Sequence, residues 1–383
     1  MKPCTSDAHK GRPKEGVRLV NPGVQRGSTV LFPGYEAFTA AERPFFYGRG
    51  GTPTHRALEE SVAALEGADQ VFLAPSGLAA VTLALLSFAE AGGHLLVTDS
   101  AYDPTRGFCE GVLRRMGVET EYYDPRIGAG IGGLVRPNTV AILAESPGSL
   151  TFEVQDLPAL CEAGPPVIVD NTWGAGVHLK PLALGAAVSV QAATKYLGGH
   201  SDVFLGTVAA SGSAARKVAQ GVRGLGLATS PDDAALVHRG MRTLHRRLAV
   251  HEETGLALAR WLEERDEVAK VMHPALPSHP DHALFARDFT GACGLFGAVL
   301  KRSDAPYLSA FFGALRLFGM GYSWGGYESL CIPTWPERHR TAVPWSAEGQ
   351  TIRVHAGLED AGDLIADLEA AFAAANEVPE AGS

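Results

Sequence analysis

The chain carries five cysteines, Cys4, Cys109, Cys161, Cys293 and Cys331, and no two of them form a C-x-x-C pair. An odd number at such wide spacing argues against a disulfide framework and against a cysteine-based zinc site. Among the thirteen histidines, His178, His200 and His245 each stand without a ligand neighbour, which sets metal binding aside. The longest apolar stretch, Leu78 to Ala89, is too short to cross a bilayer. The segment Met1 to Asp7 lacks the apolar run of a secretory signal. A formal net charge of −9 argues against a general nucleic-acid binder. These absences lead to the expectation of a cytoplasmic protein that engages neither nucleic acid nor membrane.

What is present has a clear order. Residues 1–50, rich in Gly, Pro and Arg, read as an extended arm. A helix starts at Thr52-Pro53, a cap followed by a first-turn proline, with Leu58, Val62 and Leu65 as its apolar stripe. From Val71 to about Ser211, short apolar strands alternate with helices: Val71 to Leu73, Leu95 to Val97, Val140 to Leu143, Val167 to Val169 and Val188 to Val190. Strands apolar on both faces predict an α/β fold with a mostly parallel, helix-covered sheet, whose ligands sit at the strands' carboxyl ends. We expect one domain over 51–241 and a smaller α+β domain over 242–383. The latter begins within a long helical stretch from about Asp232 to Glu264. It continues with strands at Val268 to Val271, Leu295 to Leu300 and Thr351 to His355, and a last helix near Asp363 to Phe372.

The residues with chemistry fall at those carboxyl ends. Asp170 closes the run Val167-Ile168-Val169. Twenty-five positions later comes Lys195, in Gln191-Ala192-Ala193-Thr194-Lys195-Tyr196, followed by Gly198-Gly199-His200-Ser201-Asp202. A lysine able to form a Schiff base, and an aspartate able to hold a pyridine nitrogen protonated, are the two requirements of a pyridoxal 5′-phosphate (PLP) site. Thr194 offers a hydroxyl to a phosphate, and the two glycines would let backbone approach the cofactor. Ser76, Gly77 and Leu78 open a helix after a strand, where free N–H groups suit a phosphate. Tyr102 follows the strand ending at Asp99, as a ring-stacking residue or a surface-packed one. Arg353 lies in an apolar strand and needs a partner, either a substrate carboxylate or a structural acid. Tyr47 and Arg49, among glycines in the arm, are placed to reach a site other than their own. No G-x-G-x-x-G follows the first strand, which disfavours a nicotinamide enzyme. A non-catalytic PLP-binding protein would need no proton-shuttling lysine.

Taken together, Tyr47-Gly48-Arg49-Gly50-Gly51-Thr52, Glu145-Ser146-Pro147-Gly148-Ser149, Asp170-Asn171-Thr172-Trp173, the Lys195 segment and Tyr322 to Leu330 resemble the Cys/Met-metabolism family of PLP enzymes. The resemblance implies fold type I with a sheet of the seven-stranded type. It implies Lys195 and Tyr102 as catalytic groups, with Asp170, Tyr102, Ser76, Gly77, Leu78 and Thr194 around the cofactor. Tyr47 and Arg49 would serve the phosphate of a neighbouring subunit in a homotetramer built from dimers, with Tyr47 also near the substrate. Arg353, with Ser323 and Trp324, would hold the α-carboxylate of an amino-acid substrate. Where γ-acting members carry Leu, Asn-Pro and Ser, this chain has Trp324, Gly148-Ser149 and Ala192. That pattern points to α,β-elimination from L-cystathionine or a related cysteine S-conjugate, with a γ-lyase or γ-synthase as the alternative.

Overall fold

A computed structural model describes residues 2–13, 16, 17 and 19–379. Seven strands, β1 (Gln70–Ala74), β2 (His94–Thr98), β3 (Glu119–Tyr123), β4 (Thr139–Glu145), β5 (Val167–Asp170), β6 (Val188–Ala192) and β7 (Gly206–Ala210), form one sheet in the order β1-β7-β6-β5-β4-β2-β3. Only β7 runs against its neighbours. The other pairings are parallel, so β1, β2, β4, β5 and β6 all end on one edge. Side chains alternate across a strand, and here both faces are buried. Val167 and Val169 join the core on one side, while Ile168 joins the core on the other.

The second sheet is wholly antiparallel, in the order β10-β11-β9-β8, from β8 (Val268–Met272), β9 (Leu295–Leu300), β10 (Leu330–Thr334) and β11 (Gln350–His355). Its core lies against the helices Leu244–Glu263, Ala305–Ala314 and Ala361–Asn376. Asp360 caps the last of these, accepting from the N–H groups of Gly362 and Asp363.

The helical stretch expected from Asp232 to Glu264 is two helices, Pro231–Met241 and Leu244–Glu263. The break has a local cause: the Gly240 carbonyl accepts from Thr243 N–H and from the Arg247 guanidinium, which closes a tight turn. Leu236 is 37 % exposed, whereas Met241, Leu244 and Leu248 are buried. The polar edge strand β3 and the small-residue strand β7 gave no such clear apolar run. The arm includes two short helices, Pro3–His9 and Tyr35–Thr39, and much of it is exposed.

Candidate active site

At the carboxyl edge of the large sheet lies a cavity of about 450 Å3, lined also by Leu295 and Arg353 of the second sheet. It gathers Ser76, Gly77, Leu78, Tyr102, Asp170, Thr194, Lys195, Ser323, Trp324 and Arg353.

Most are positioned by a strand end or helix start, while Arg353 lies within β11 and Ser323 and Trp324 on the segment before β10. The helix Gly77–Phe88 begins at Ser76, whose hydroxyl accepts from Ala79 N–H at 3.1 Å. The N–H groups of Gly77 and Leu78 fall in the first turn, where no intrahelical acceptor exists. A side chain at Gly77 would strike Ala192, so backbone itself forms the wall there. Thr194 exchanges hydrogen bonds with Leu205: its hydroxyl donates to the carbonyl at 3.3 Å and accepts from the N–H at 3.1 Å.

Asp170 ends β5 and accepts from Thr172 N–H (3.0 Å) and Thr172 Oγ1 (2.5 Å). Burial raises its pKa against those two bonds and the nearby Lys195. Lys195 moves the other way: burial, reinforced by Arg353, lowers its amine to about 8, with Asp170 opposing. Its Nζ lies 2.5 Å from Ser323 Oγ and 5.3 Å from the centroid of the Trp324 ring. Arg353, on β11, donates from Nη2 to Ser323 O at 3.0 Å, and burial lowers it to about 10.

Tyr102 starts the helix Asp103–Phe108 and is 46 % exposed, with its backbone N–H donating to Glu145 Oε2 at 2.7 Å. Burial, then the Glu145 charge, raises its hydroxyl pKa. Glu145 is a site residue that the sequence reading passed over. It ends β4 directly opposite Asp170, lines the cavity, and is pushed well above the usual carboxylate range by burial and by Asp170. The signal was available, since Glu145 closes an apolar strand as Asp170 does.

Tyr47 and Arg49, expected to serve a neighbouring subunit, do not line their own chain's cavity: Tyr47 is 44 % exposed, with the Arg49 guanidinium 5.8 Å from its ring centroid. Gly198 and Gly199 do not line the cavity, and Gly199 makes room for a helix residue instead. A side chain at Gly199 would collide with Arg247, and Gly240 needs its own lack of a side chain against Gly198 O.

The residues fit PLP. Gly77 and Leu78 present unpaired N–H groups for a phosphate, Asp170 is an acid in need of a cationic partner, and Lys195 is an amine of lowered basicity. Sheet, edge and cavity define a PLP-dependent enzyme of fold type I. A cystathionine gamma synthase from Xanthomonas oryzae pv. oryzae, solved with aminoacrylate and cysteine, superimposes with a TM-score of 0.91 at 30% identity, covering 98% of this chain and 99% of that one.

More narrowly, the chain belongs to the Cys/Met metabolism PLP-dependent enzyme family, whose profile matches residues 4–373. It is 49% identical over 369 residues to a protein named putative cystathionine beta-lyase in Rhizobium johnstonii (94% of this chain, 93% of the relative). It is 43% identical over 386 residues to the cystathionine beta-lyase of Escherichia coli (96% and 98%).

Proposed function

We propose that this protein is a cystathionine β-lyase, cleaving the Cβ–S bond of L-cystathionine, with uptake of water, to give homocysteine, pyruvate and ammonia. The observation that carries the reading is the setting of Lys195: an amine lowered to about 8, 2.5 Å from Ser323 Oγ, in one cavity with Asp170 and Arg353. The relatives named above, alike over nearly the whole chain, support the β-lyase over the γ-acting alternative.

Lys195 would carry the cofactor and Asp170 face its ring nitrogen. Tyr102 would lie on the ring, with Ser76, Gly77, Leu78 and Thr194 at the phosphate. When bound, PLP supplies an electron sink for the bond broken at the substrate's Cα. Arg353 binds the substrate α-carboxylate through its guanidinium fork, held by its bond to Ser323 O. Trp324 borders the same corner. A lysine with a pKa of about 8 is roughly one-tenth neutral at pH 7, enough for Lys195 to take the Cα proton as a general base. The proton for the departing sulfur comes from Lys195 or from the Tyr102 hydroxyl, which its raised pKa keeps protonated.

Tyr47 and Arg49, exposed and outside their own chain's cavity, support a homotetramer in which they complete a neighbour's phosphate site and Tyr47 approaches its substrate. The free thiols of Cys109, Cys161, Cys293 and Cys331 suit a reducing, cytoplasmic setting. No helix among the described residues is long and apolar enough to cross a membrane.

The test is turnover of L-cystathionine by purified, cofactor-loaded protein with identification of the keto acid. Pyruvate with homocysteine is expected. Formation of 2-oxobutyrate would replace the reading by a γ-lyase, and cystathionine synthesis from an activated homoserine by a γ-synthase.

A further inference from the structure

His355 ends β11 two residues beyond Arg353, hence on the same face of the strand, and is 1 % exposed. Both ring nitrogens are engaged: Nδ1 lies 3.0 Å from Glu328 O, and Nε2 lies 3.0 Å from Gly325 N. A carbonyl only accepts and a backbone N–H only donates. The imidazole therefore carries its proton on Nδ1 and turns a lone pair on Nε2 towards Gly325.

What it grips is the segment Ser323-Trp324-Gly325. Ser323 and Gly325 both have φ 83, a left-handed conformation that Ser323, having a side chain, keeps only where its surroundings enforce it. The segment presses on the backbone of the lysine: a Cβ at Gly325 would lie 2.9 Å from Tyr196 N and 3.0 Å from Lys195 Cβ. Ser323 then reaches both ends of the site. Its hydroxyl meets Lys195 Nζ at 2.5 Å, and its carbonyl accepts from Arg353 at 3.0 Å. His355 also lies against Tyr196, the residue after Lys195, with ring centroids 6.0 Å apart.

We infer that His355, as a neutral imidazole protonated on Nδ1, is a positioning residue: by accepting from Gly325 N–H it holds Ser323 between Lys195 and Arg353, and so aligns the proton-accepting amine with the carboxylate anchor. Its catalytic consequence rests on the elimination reading above; its grip on Gly325 does not.

The experiment compares wild type, His355→Leu, which fills the space without an acceptor, and His355→Gln, whose side-chain oxygen can replace Nε2. Amide hydrogen exchange at Gly325 is read in cofactor-free and loaded protein, alongside kcat and KM for L-cystathionine. His355→Leu should speed exchange at Gly325 at least tenfold and lower kcat about a hundredfold, with KM raised less, and His355→Gln should restore most of both. Unchanged exchange and kcat in His355→Leu would overturn the inference, as would a Gln variant no better than Leu. If the Leu variant fails to fold, nitrogen NMR of wild-type His355 decides: a proton on Nε2 overturns it, a proton on Nδ1 alone supports it. Should wild type release no pyruvate, the elimination reading falls, while exchange at Gly325 still decides the grip.

Discussion

Asp99 and Asp170 look alike in the sequence, each following an apolar strand that ends on the same edge of one parallel sheet. Their surroundings differ. Asp99, 1 % exposed, accepts from the Arg106 and Arg340 guanidiniums, from Thr341 Oγ1, and from the backbone N–H groups of Thr341, Ala342 and Val343. Burial alone would raise its pKa, but the backbone donors of residues 341–343, with Arg106, outweigh it and the net direction is down. Asp170 accepts two hydrogen bonds from Thr172, and burial prevails, so its pKa goes up. A carboxylate saturated by its own chain is a clamp; here it fastens the segment after β10 beside the loop that carries Tyr102. A carboxylate left short of donors at a ligand edge marks a place for a cationic partner.

The largest effect expected on this comparison comes from Asp99→Asn. It leaves the buried Arg106 facing a neutral amide in place of its carboxylate partner, while Arg340 keeps Glu153, and costs about 3–5 kcal/mol of stability. Thermal unfolding should fall by roughly 4–6 °C; a midpoint within a degree of wild type would mean that the clamp adds no net stability. Asp170→Asn should do the reverse. Its amide oxygen can still accept from Thr172, so cofactor-free protein should be at least as stable as wild type by urea unfolding. Turnover should fall on the order of 10^2 to 10^4-fold, the same few kcal/mol expressed in a barrier. A marked loss of stability without loss of turnover would reverse the two assignments.

The pH dependence separates the pair more finely. The lowered pKa of Asp99 gives stability that is fully present above the unfolded value of about 3.9 and is lost as pH falls through the folded value. The raised pKa of Asp170 has the opposite sign in cofactor-free protein. There the folded state binds the proton more tightly, and this advantage disappears as pH climbs from about 3.9 through the folded value. The wild-type-minus-variant difference in urea midpoint should shrink below that point for Asp99→Asn and turn against wild type above it for Asp170→Asn. Coincident difference curves would erase the contrast.

How far the sequence reached follows from where the partners come from. The two-faced apolar strands made the parallel sheet legible, and Asp170 and Lys195 were legible because strand end, residue type and neighbours all lie within a few positions. The clamp on Asp99 was not, since Arg340 lies 241 positions away and nothing local joins the two. For the same reason His355 read only as part of a strand, its partners Gly325 and Glu328 lying beyond local view. Gly198 and Gly199 were read as making room for a cofactor, when the group that needs the room at Gly199 is Arg247, from the later helix Leu244–Glu263. The break after Met241 escaped because apolar spacing continues across it while the hydrogen bonds do not.

The smallest expected effect is also the sharpest test of the strand-end rule, because Glu145 obeys it as well as Asp170 does. The two carboxyls sit opposite each other in the register of β4 and β5, and two like charges so placed in a desolvated cavity wall cannot both be retained cheaply. Glu145 is the one pushed well above the carboxylate range, by burial first and by Asp170 second. Of the two it is the more readily protonated, which favours leaving the charge on Asp170. Its remaining task is to accept from Tyr102 N–H at 2.7 Å, which a glutamine oxygen can do equally well. Glu145→Gln should keep turnover within about threefold of wild type, the scale of one neutral hydrogen bond retained with altered geometry. A loss of a hundredfold or more would show that Glu145 is ionised or moves a proton. An under-donated acid at a strand end would then indicate reactivity in both cases, and the division of labour between Glu145 and Asp170 would have to be redrawn.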